Sequence, residues 1–560
     1  MCGIAGFVDP SLSPGDARQV LARMTGSIRH RGPDDSGFHI DTPAAIGQRR
    51  LSIIDLAGGH QPMSNEDGSL WIVYNGEIFN HAGIRPELEK AGHRYTSHCD
   101  TETILHSYEQ FGAANVERFR GMFAFAIWDR ARQTLFCARD RLGIKPFYYY
   151  SDGPLFVFAS EIKALLCHPS VPARLREAAL PEYLAIGYNS GEETLFAGIR
   201  KLMPGHTLLL DLRQDRPRPV ITRYWDLPES PATPERRSDQ EWIDECRARL
   251  EETVRMRLMS DVPLGMFLSG GVDSSAIAAL IKRMVTGPVK TFSVGYSEAE
   301  FSELSYAAEV ASAIGTEHRQ VVVGREDFFN ALPRLVWHED EPITWPSSVA
   351  LHFVSALAAR EVKVVLTGEG SDELFGGYVR YRWTRTNLRL LDAYGAVVPG
   401  FLRRGLRSYI AGTSLLPAGL RRKIGHSFLG RQENTAPLYL DNFHAAFSAA
   451  ELDSLLTGEL QNTGSSAYSN FLHYWNQRSE APLLSRMLFA DQKTYLVELL
   501  MKQDQMSMST SIESRVPFLD HTFVEFASRV PDHLKIRGNT QKYILKAAVA
   551  DLLPQRIVHR

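Results

Sequence analysis

The segment Leu268-Ser269-Gly270-Gly271-Val272-Asp273-Ser274-Ser275 constrains this chain more than any other. It follows the apolar run Leu264-Gly265-Met266-Phe267-Leu268 and leads into Ala276-Ile277-Ala278-Ala279-Leu280-Ile281, which reads as a helix. A strand that turns through two glycines into a helix offers backbone N–H groups and a helix N-terminus to an anion, so the segment reads as a pyrophosphate cradle. A kinase-type P-loop requires a Gly-Lys dipeptide, and the chain contains none. The alternative is a Ser/Gly turn that merely caps a helix. Asp273 argues against it, because a carboxylate among phosphate-binding amides makes sense mainly with Mg2+ between them.

Around this loop, apolar strands at 289–294 and 362–366 alternate with helical stretches, the pattern of a parallel sheet covered on both faces. Trp242, Ile243, Cys246, Leu250 and Val254 fall at helical spacing at the start of this half, and a largely helical part follows from about Tyr378. Leu366-Thr367-Gly368-Glu369-Gly370-Ser371-Asp372-Glu373 stands at the carboxyl end of a strand, where open α/β sheets place ligands. Taken alone, its acidic residues read as a solvated loop.

The first half differs. From Gly3 to about Trp225, short β-type runs dominate, among them Gly3-Ile4-Ala5-Gly6-Phe7-Val8 and Phe123-Ala124-Phe125-Ala126-Ile127-Trp128. Asp226 to Gln240 carries Pro228, Pro231 and Pro234 and little apolar content, and reads as a linker. Two domains, residues 1–225 and 241–560, are therefore expected, and 560 residues suffice for separate cores.

A formal charge of −3, from 62 basic and 65 acidic residues, gives no field that would gather nucleic acid or anionic lipid. No apolar run reaches the roughly 18 to 20 residues of a membrane span, and the start lacks a signal-type pattern. These features predict a cytoplasmic protein working on small molecules. The five cysteines contain no Cys-x-x-Cys pair, so a disulfide framework is not expected.

Cys2 follows the initiator Met and is small enough for that Met to be removed, which would leave a thiol and a free amine on one residue. An α-amine of pKa about 7.7 to 8.0 can take the proton that a thiol must lose to attack; the plain alternative is a small buried residue. Asn75-Gly76 between β-type runs reads as a tight hairpin turn, although such a turn also leaves N–H donors free to face an oxyanion. Asp100 precedes a helical pattern and reads as its N-cap, and Arg50 reads as an exposed strand residue.

Cys2-Gly3-Ile4-Ala5-Gly6, His30-Arg31-Gly32-Pro33-Asp34, Arg50-Leu51-Ser52-Ile53, Asn75-Gly76-Glu77 and Cys99-Asp100-Thr101-Glu102 occur in the order seen in N-terminal-nucleophile glutaminase domains, which the first half resembles. That resemblance implies that Cys2 attacks the glutamine amide, that Asn75 and Gly76 hold the oxyanion, and that Arg50 and Asp100, with Glu77 close by, bind glutamine. The second half resembles the ATP-pyrophosphatase domain of asparagine synthetases through Ser269-Gly270-Gly271-Val272-Asp273-Ser274, Asp340-Glu341-Pro342, Gly368-Glu369-Gly370-Ser371-Asp372-Glu373 and Glu513-Ser514-Arg515-Val516-Pro517-Phe518-Leu519-Asp520.

The implied fold is an αββα-layered α+β glutaminase domain followed by an α/β parallel-sheet domain with a helical C-terminal part. By the same resemblance Leu268, Ser269, Gly270, Gly271, Asp273, Ser274, Val294, Thr367 and Gly368 bind ATP, Asp273 and Asp372 hold Mg2+, Glu369 is the base for ammonia attack, and Lys542 stabilises phosphate charge. As a lone lysine on an amphipathic helix, Lys542 would by default be solvated. The implied reaction amidates aspartate through β-aspartyl-AMP, with a shielded ammonia passage between the sites; a homodimer is compatible with the family.

Trp345 stands in a stretch where family members differ, beside the expected acceptor pocket, so another carboxylate on a metabolite, peptide or cell-surface sugar is the alternative acceptor. Sugar-phosphate amidotransferases lack the Ser269 to Asp273 motif. A β-lactam-forming synthetase has no need of Cys2, and a retired enzyme serving as a sensor would not need every catalytic position filled.

Overall fold

A computed structural model of the chain describes residues 2–560 except 230–234, 299, 301, 413–416, 418–423, 425–426, 430–438, 441 and 462. The first half is built on two six-stranded sheets. One runs in the spatial order Ile199–Lys201, Tyr148–Asp152, Leu155–Ala159, Cys2–Val8, Ala44–Arg50, Asp35–Asp41. The other runs Val220–Arg223, His206–Asp211, Thr134–Arg139, Gly121–Asp129, Leu70–Ile78, Met63–Ser64. All their pairings are antiparallel.

The layering follows from side-chain alternation along each strand. Ile4 and Val8 pack with Val73, Ala124, Ala126 and Trp128 in the core between the sheets. Ala5 and Phe7, one residue out of phase, face the helix Pro14–Ser27 through Val20, Leu21 and Met24. Ile72 and Tyr74 meet Ile84, Leu88, Ile104 and Leu105 of the helices His81–Lys90 and Asp100–Phe111. The result is the expected αββα stack.

The second half opens at the helix Asp239–Met256, two residues inside the expected linker; Pro231 and Pro234 lie outside the described residues. Ser238 sets that start with a capping box, its hydroxyl accepting from the Glu241 N–H while Glu241 accepts from the Ser238 N–H. Trp242, Cys246, Leu250 and Val254 form its buried face, the stripe read from the sequence.

The five strands of this half are all parallel, in the order Glu317–Val323, Lys290–Tyr296, Leu264–Phe267, Val364–Leu366, Glu513–Arg515. Its last strand lies against the first half. Among the described residues, no helix is long and apolar enough to cross a membrane.

The halves meet around the helix Tyr495–Met508, every residue of which is buried apart from Glu498, which is partly buried. Beside it sit Glu339 and Glu341. Burial pushes the Glu498, Glu341 and Glu339 carboxyls up to about 7 each, against the pull of Lys201 or Lys502. Folded, these groups keep their protons above the pH at which the unfolded chain loses them, so stability falls as pH rises from about 4.5 through about 7. Glu498→Gln removes one such group. Its gain over the parent is expected to be small near about pH 5 and to approach about 3 kcal/mol near about pH 8, as read by denaturant unfolding at both values. An equal effect at the two pH values would mean that the carboxyl ionises freely.

Candidate active site

Cys2 begins the strand Cys2–Val8, opposite Arg50 in register, and lies on a small cavity of about 30 Å3 whose wall includes Arg50, Gly76, Glu77, Asp100 and Glu513. The Cys2 N–H donates to Asn75 Oδ1 at 2.9 Å, whereas Asn75 Nδ2 is buried without a hydrogen-bond partner. Such an idle donor is destabilising unless an acceptor comes to it. Burial pushes the Cys2 thiol above its ordinary pKa, with Arg50 pulling the other way, so ionisation near neutrality needs a base.

Three local readings of the sequence are corrected here. Asn75 and Gly76 form no hairpin turn; they lie inside the strand Leu70–Ile78, opposite Ala124 and Phe123. The glycine is required for space, since a Cβ there would stand 2.1 Å from the Met122 carbonyl oxygen and 2.7 Å from Phe123 Cα. Arg50 is not exposed: it is buried, and its guanidinium donates to the carbonyls of Ile54, Asp55 and Leu56 at 2.7 to 3.1 Å. Asp100 is the first residue of its helix, preceded by Cys99 at the cap, and its Oδ2 accepts from Tyr74 Oη and from the Ile78 N–H, both at 2.8 Å.

Two residues at or next to this cavity come from the second half. Glu513 lines it, and Arg515 Nη2 stands 3.2 Å from Glu77 Oε2 while Arg515 Nε donates to Glu513 at 2.6 Å. Desolvation, then the Asp100 charge, pushes the Glu77 carboxyl well above the usual range, and Arg515 opposes them. Sequence reasoning quoted this stretch without giving either residue a task. The signal was available: Glu and Arg two apart in a strand share one face. Behind Cys2, buried Arg31 donates to the Cys2 carbonyl at 3.2 Å, to Glu161 at 2.9 Å and to Asp504 at 2.6 Å.

A second cavity, of about 470 Å3, opens at the carboxyl ends of the parallel strands. Its wall includes Leu268, Ser269, Asp273, Ser274, Val294, Thr367, Gly368, Glu369 and Asp372. Gly270 has φ +76° and passes so close to Tyr306 and Ala307 that a Cβ would meet their backbone at 2.6 Å. Gly271 caps the helix Val272–Met284, and Ser269 and Ser274 hydroxyls bond each other at 3.0 Å across the turn. Asp273 and Ser274 of its first turn line the cavity, at the positive end of the helix dipole.

Asp273 and Asp372 converge on one point, occupied by Lys542: its Nζ lies 2.5 Å from Asp273 Oδ2 and 2.7 Å from Asp372 Oδ1. Contrary to the default reading, Lys542 is buried; it sits at φ +52° just before the helix Tyr543–Ala548. Desolvation opposes its charge, but the two aspartates raise its pKa. Two carboxylate oxygens aimed at one cation position are hard donors that suit Mg2+, so these residues fit that ion as well as the ammonium. Ser371 Oγ holds the other oxygen of Asp273 at 2.8 Å. Further in, Tyr378 donates to Glu373 at 2.6 Å, and burial pushes the Glu373 carboxyl up to about 8.

The cavities are joined by short links. The Thr367 N–H donates to the Arg515 carbonyl at 2.9 Å. On the helix Tyr495–Met508, Gln503 lines the second cavity and the next residue, Asp504, pairs with Arg31 behind Cys2.

Comparison with known proteins gives two family models, a glutamine amidotransferase domain matching residues 1–225 and asparagine synthase matching residues 245–560. The chain is 35% identical to asparagine synthetase (glutamine-hydrolyzing) 1 of Bacillus subtilis and 33% identical to asparagine synthetase (glutamine-hydrolyzing) 3 of that organism, in each case over 100% of this chain and 86% of the relative. It is also 29% identical to amidase chyE of Penicillium rubens, over 100% of this chain and 87% of that protein.

Proposed function

Because the chain belongs to the glutamine-hydrolysing asparagine synthetase family, we propose that it makes asparagine from aspartate, ATP and glutamine, with ammonia passing between the two cavities. The observation that carries this reading is the adjacency, on a single buried helix, of Gln503, which lines the second cavity, and Asp504, which pairs with Arg31 behind Cys2.

In the first cavity, with Met1 removed, the Cys2 amine takes the thiol proton and the sulfur attacks the glutamine amide carbon. Asn75 Nδ2 and the Gly76 N–H receive the oxyanion; this gives the idle donor its partner. The proton passes to the leaving nitrogen, ammonia departs, and water cleaves the thioester to glutamate. Arg50 and Asp100 bind the carboxylate and amine of glutamine, with Glu77 beside them.

In the second cavity, Leu268, Val294 and Gly368 contact the nucleotide, while Ser269, Gly270, Gly271, Ser274 and Thr367 surround its phosphates. The aspartate side-chain carboxylate attacks the α-phosphorus, forming β-aspartyl-AMP and breaking the bond to pyrophosphate. Asp273 and Asp372 would hold Mg2+, which when bound neutralises phosphate charge. Lys542 stabilises charge on the phosphates. Ammonia then attacks the acyl carbon, Glu369 accepts its excess proton, and AMP leaves.

A second reading, amidation of a different carboxylate, is favoured by the full-length similarity to amidase chyE and by Trp345, which packs against Tyr495 with ring centroids 5.7 Å apart. The test is to supply glutamine, MgATP and a panel of carboxylates. Aspartate is expected to give AMP, pyrophosphate and asparagine in equal amounts. Amide on another carboxylate and none on aspartate would establish the second reading, and ADP with phosphate would defeat both.

A further inference from the structure

On the outer face of the first half, away from both cavities, four side chains from three segments come together. Glu66 follows the short strand Met63–Ser64, His93 lies after the helix His81–Lys90, and His106 and Glu109 are one turn apart on the helix Asp100–Phe111. One ligand atom from each lies within 4.8 Å of all the others. We propose that Glu66, His93, His106 and Glu109 form a binding site for a divalent transition-metal ion of the Zn2+ class.

Three of the spacings are closer to those of a shared ion than to those of hydrogen bonds. His106 Nδ1 is 3.5 Å from Glu109 Oε2 and 3.7 Å from Glu66 Oε2, and His93 Nδ1 is 3.5 Å from Glu109 Oε2. Charge-assisted hydrogen bonds would be about 2.7 to 2.9 Å. Four ligands held tetrahedrally at Zn–N and Zn–O distances of about 2.0 to 2.2 Å stand about 3.3 to 3.6 Å apart. His106 is buried, and neither of its ring nitrogens makes a hydrogen bond. A buried imidazole left so is destabilising unless something else engages it.

The outer atoms of Glu109, Glu66 and His93 are already held, as ligating groups require. Glu109 Oε1 accepts from Asn65 Nδ2 at 3.1 Å, and Glu66 Oε1 from the Arg94 N–H at 2.9 Å. His93 Nε2 lies 3.3 Å from Gln110 Oε1, and His106 Nε2 faces Glu102 Oε1 at 3.7 Å. Each ligand thus leaves one atom for the ion. With Glu66 and Glu109 about a third exposed, solvent reaches the site, whereas His106 closes its floor. The carboxylates of Glu66, Glu102 and Glu109 around His106 concentrate negative charge, which a metal ion would offset. An ion here would tie two segments to the helix whose first residue is Asp100.

The test uses the full-length protein, stripped with a chelator and titrated with Co2+ as a spectroscopic probe. One equivalent per chain is expected to give the visible bands of a tetrahedral N/O site, to be displaced by Zn2+, and to raise the melting temperature. His93→Ala and, separately, Glu109→Gln should weaken binding by about a hundredfold or more, with unchanged circular dichroism. Both substitutions leave Cys2 and the Asp273 cluster intact, so an identical titration in either variant would assign the metal elsewhere and overturn the proposal. So would a parent protein that shows no saturable Co2+ spectrum, which would mean that a proton alone occupies His106.

Discussion

Cys2→Ala is expected to lower glutamine-dependent product formation by at least about a thousandfold, while synthesis with added ammonium salt stays within about twofold of the parent. The asymmetry follows from what the side chain touches. Cys2 contributes its backbone N–H to Asn75 and its carbonyl to Arg31, and alanine keeps both. The link from Arg31 to Asp504, and so to the helix beside the second cavity, is undisturbed. Only the sulfur is lost, and with it the bond to the acyl group. Parallel assays with glutamine and with ammonium, following AMP and amide, distinguish the outcomes. Loss of both activities would mean that the two cavities are not separable catalytic units; full glutamine use would remove Cys2 as nucleophile.

That separability was partly legible in the sequence. The strand, the paired glycines and the helix around Gly270 announce themselves because a close backbone approach and a helix start are local demands. The αββα stack follows from alternation such as Ile4 and Val8 against Ala5 and Phe7. Local demands also mislead. Asn75-Gly76 has every feature of a hairpin turn, yet the pairing with 123–124 and the Met122 carbonyl set its use within a strand.

Lys542 looks solvated to its neighbours in sequence because its partners are distant. Lys542 finds Asp273 across 269 positions, and Arg31 finds Asp504 across 473. Buried charges of this kind are retained only where opposite charges meet them, and no periodicity reports such a meeting. The Glu77, Glu513 and Arg515 cluster is the clearest example: it brings the edge strand of one half into the cavity of the other.

Asp273→Asn is expected to reduce pyrophosphate release by at least about a thousandfold, equally with glutamine and with ammonium as nitrogen source. The loss should be catalytic rather than structural. Lys542 keeps Asp372 at 2.7 Å as counter-charge, and the asparagine amide can still accept from Ser371, whose hydroxyl now lies 2.8 Å from Asp273. What disappears is one of two carboxylate oxygens aimed at a single cation position, and a neutral amide binds Mg2+ far less well. Lys542→Met makes the complementary change: it leaves Asp273 and Asp372 facing each other without the ammonium, so repulsion toward an incoming triphosphate should grow and ATP use should fall with either nitrogen source. Pyrophosphate release, measured with aspartate and each nitrogen donor in turn, separates the cases. A deficit confined to glutamine would move Asp273 from phosphate chemistry to communication between the cavities, and undiminished release would remove both the metal and the phosphate assignment.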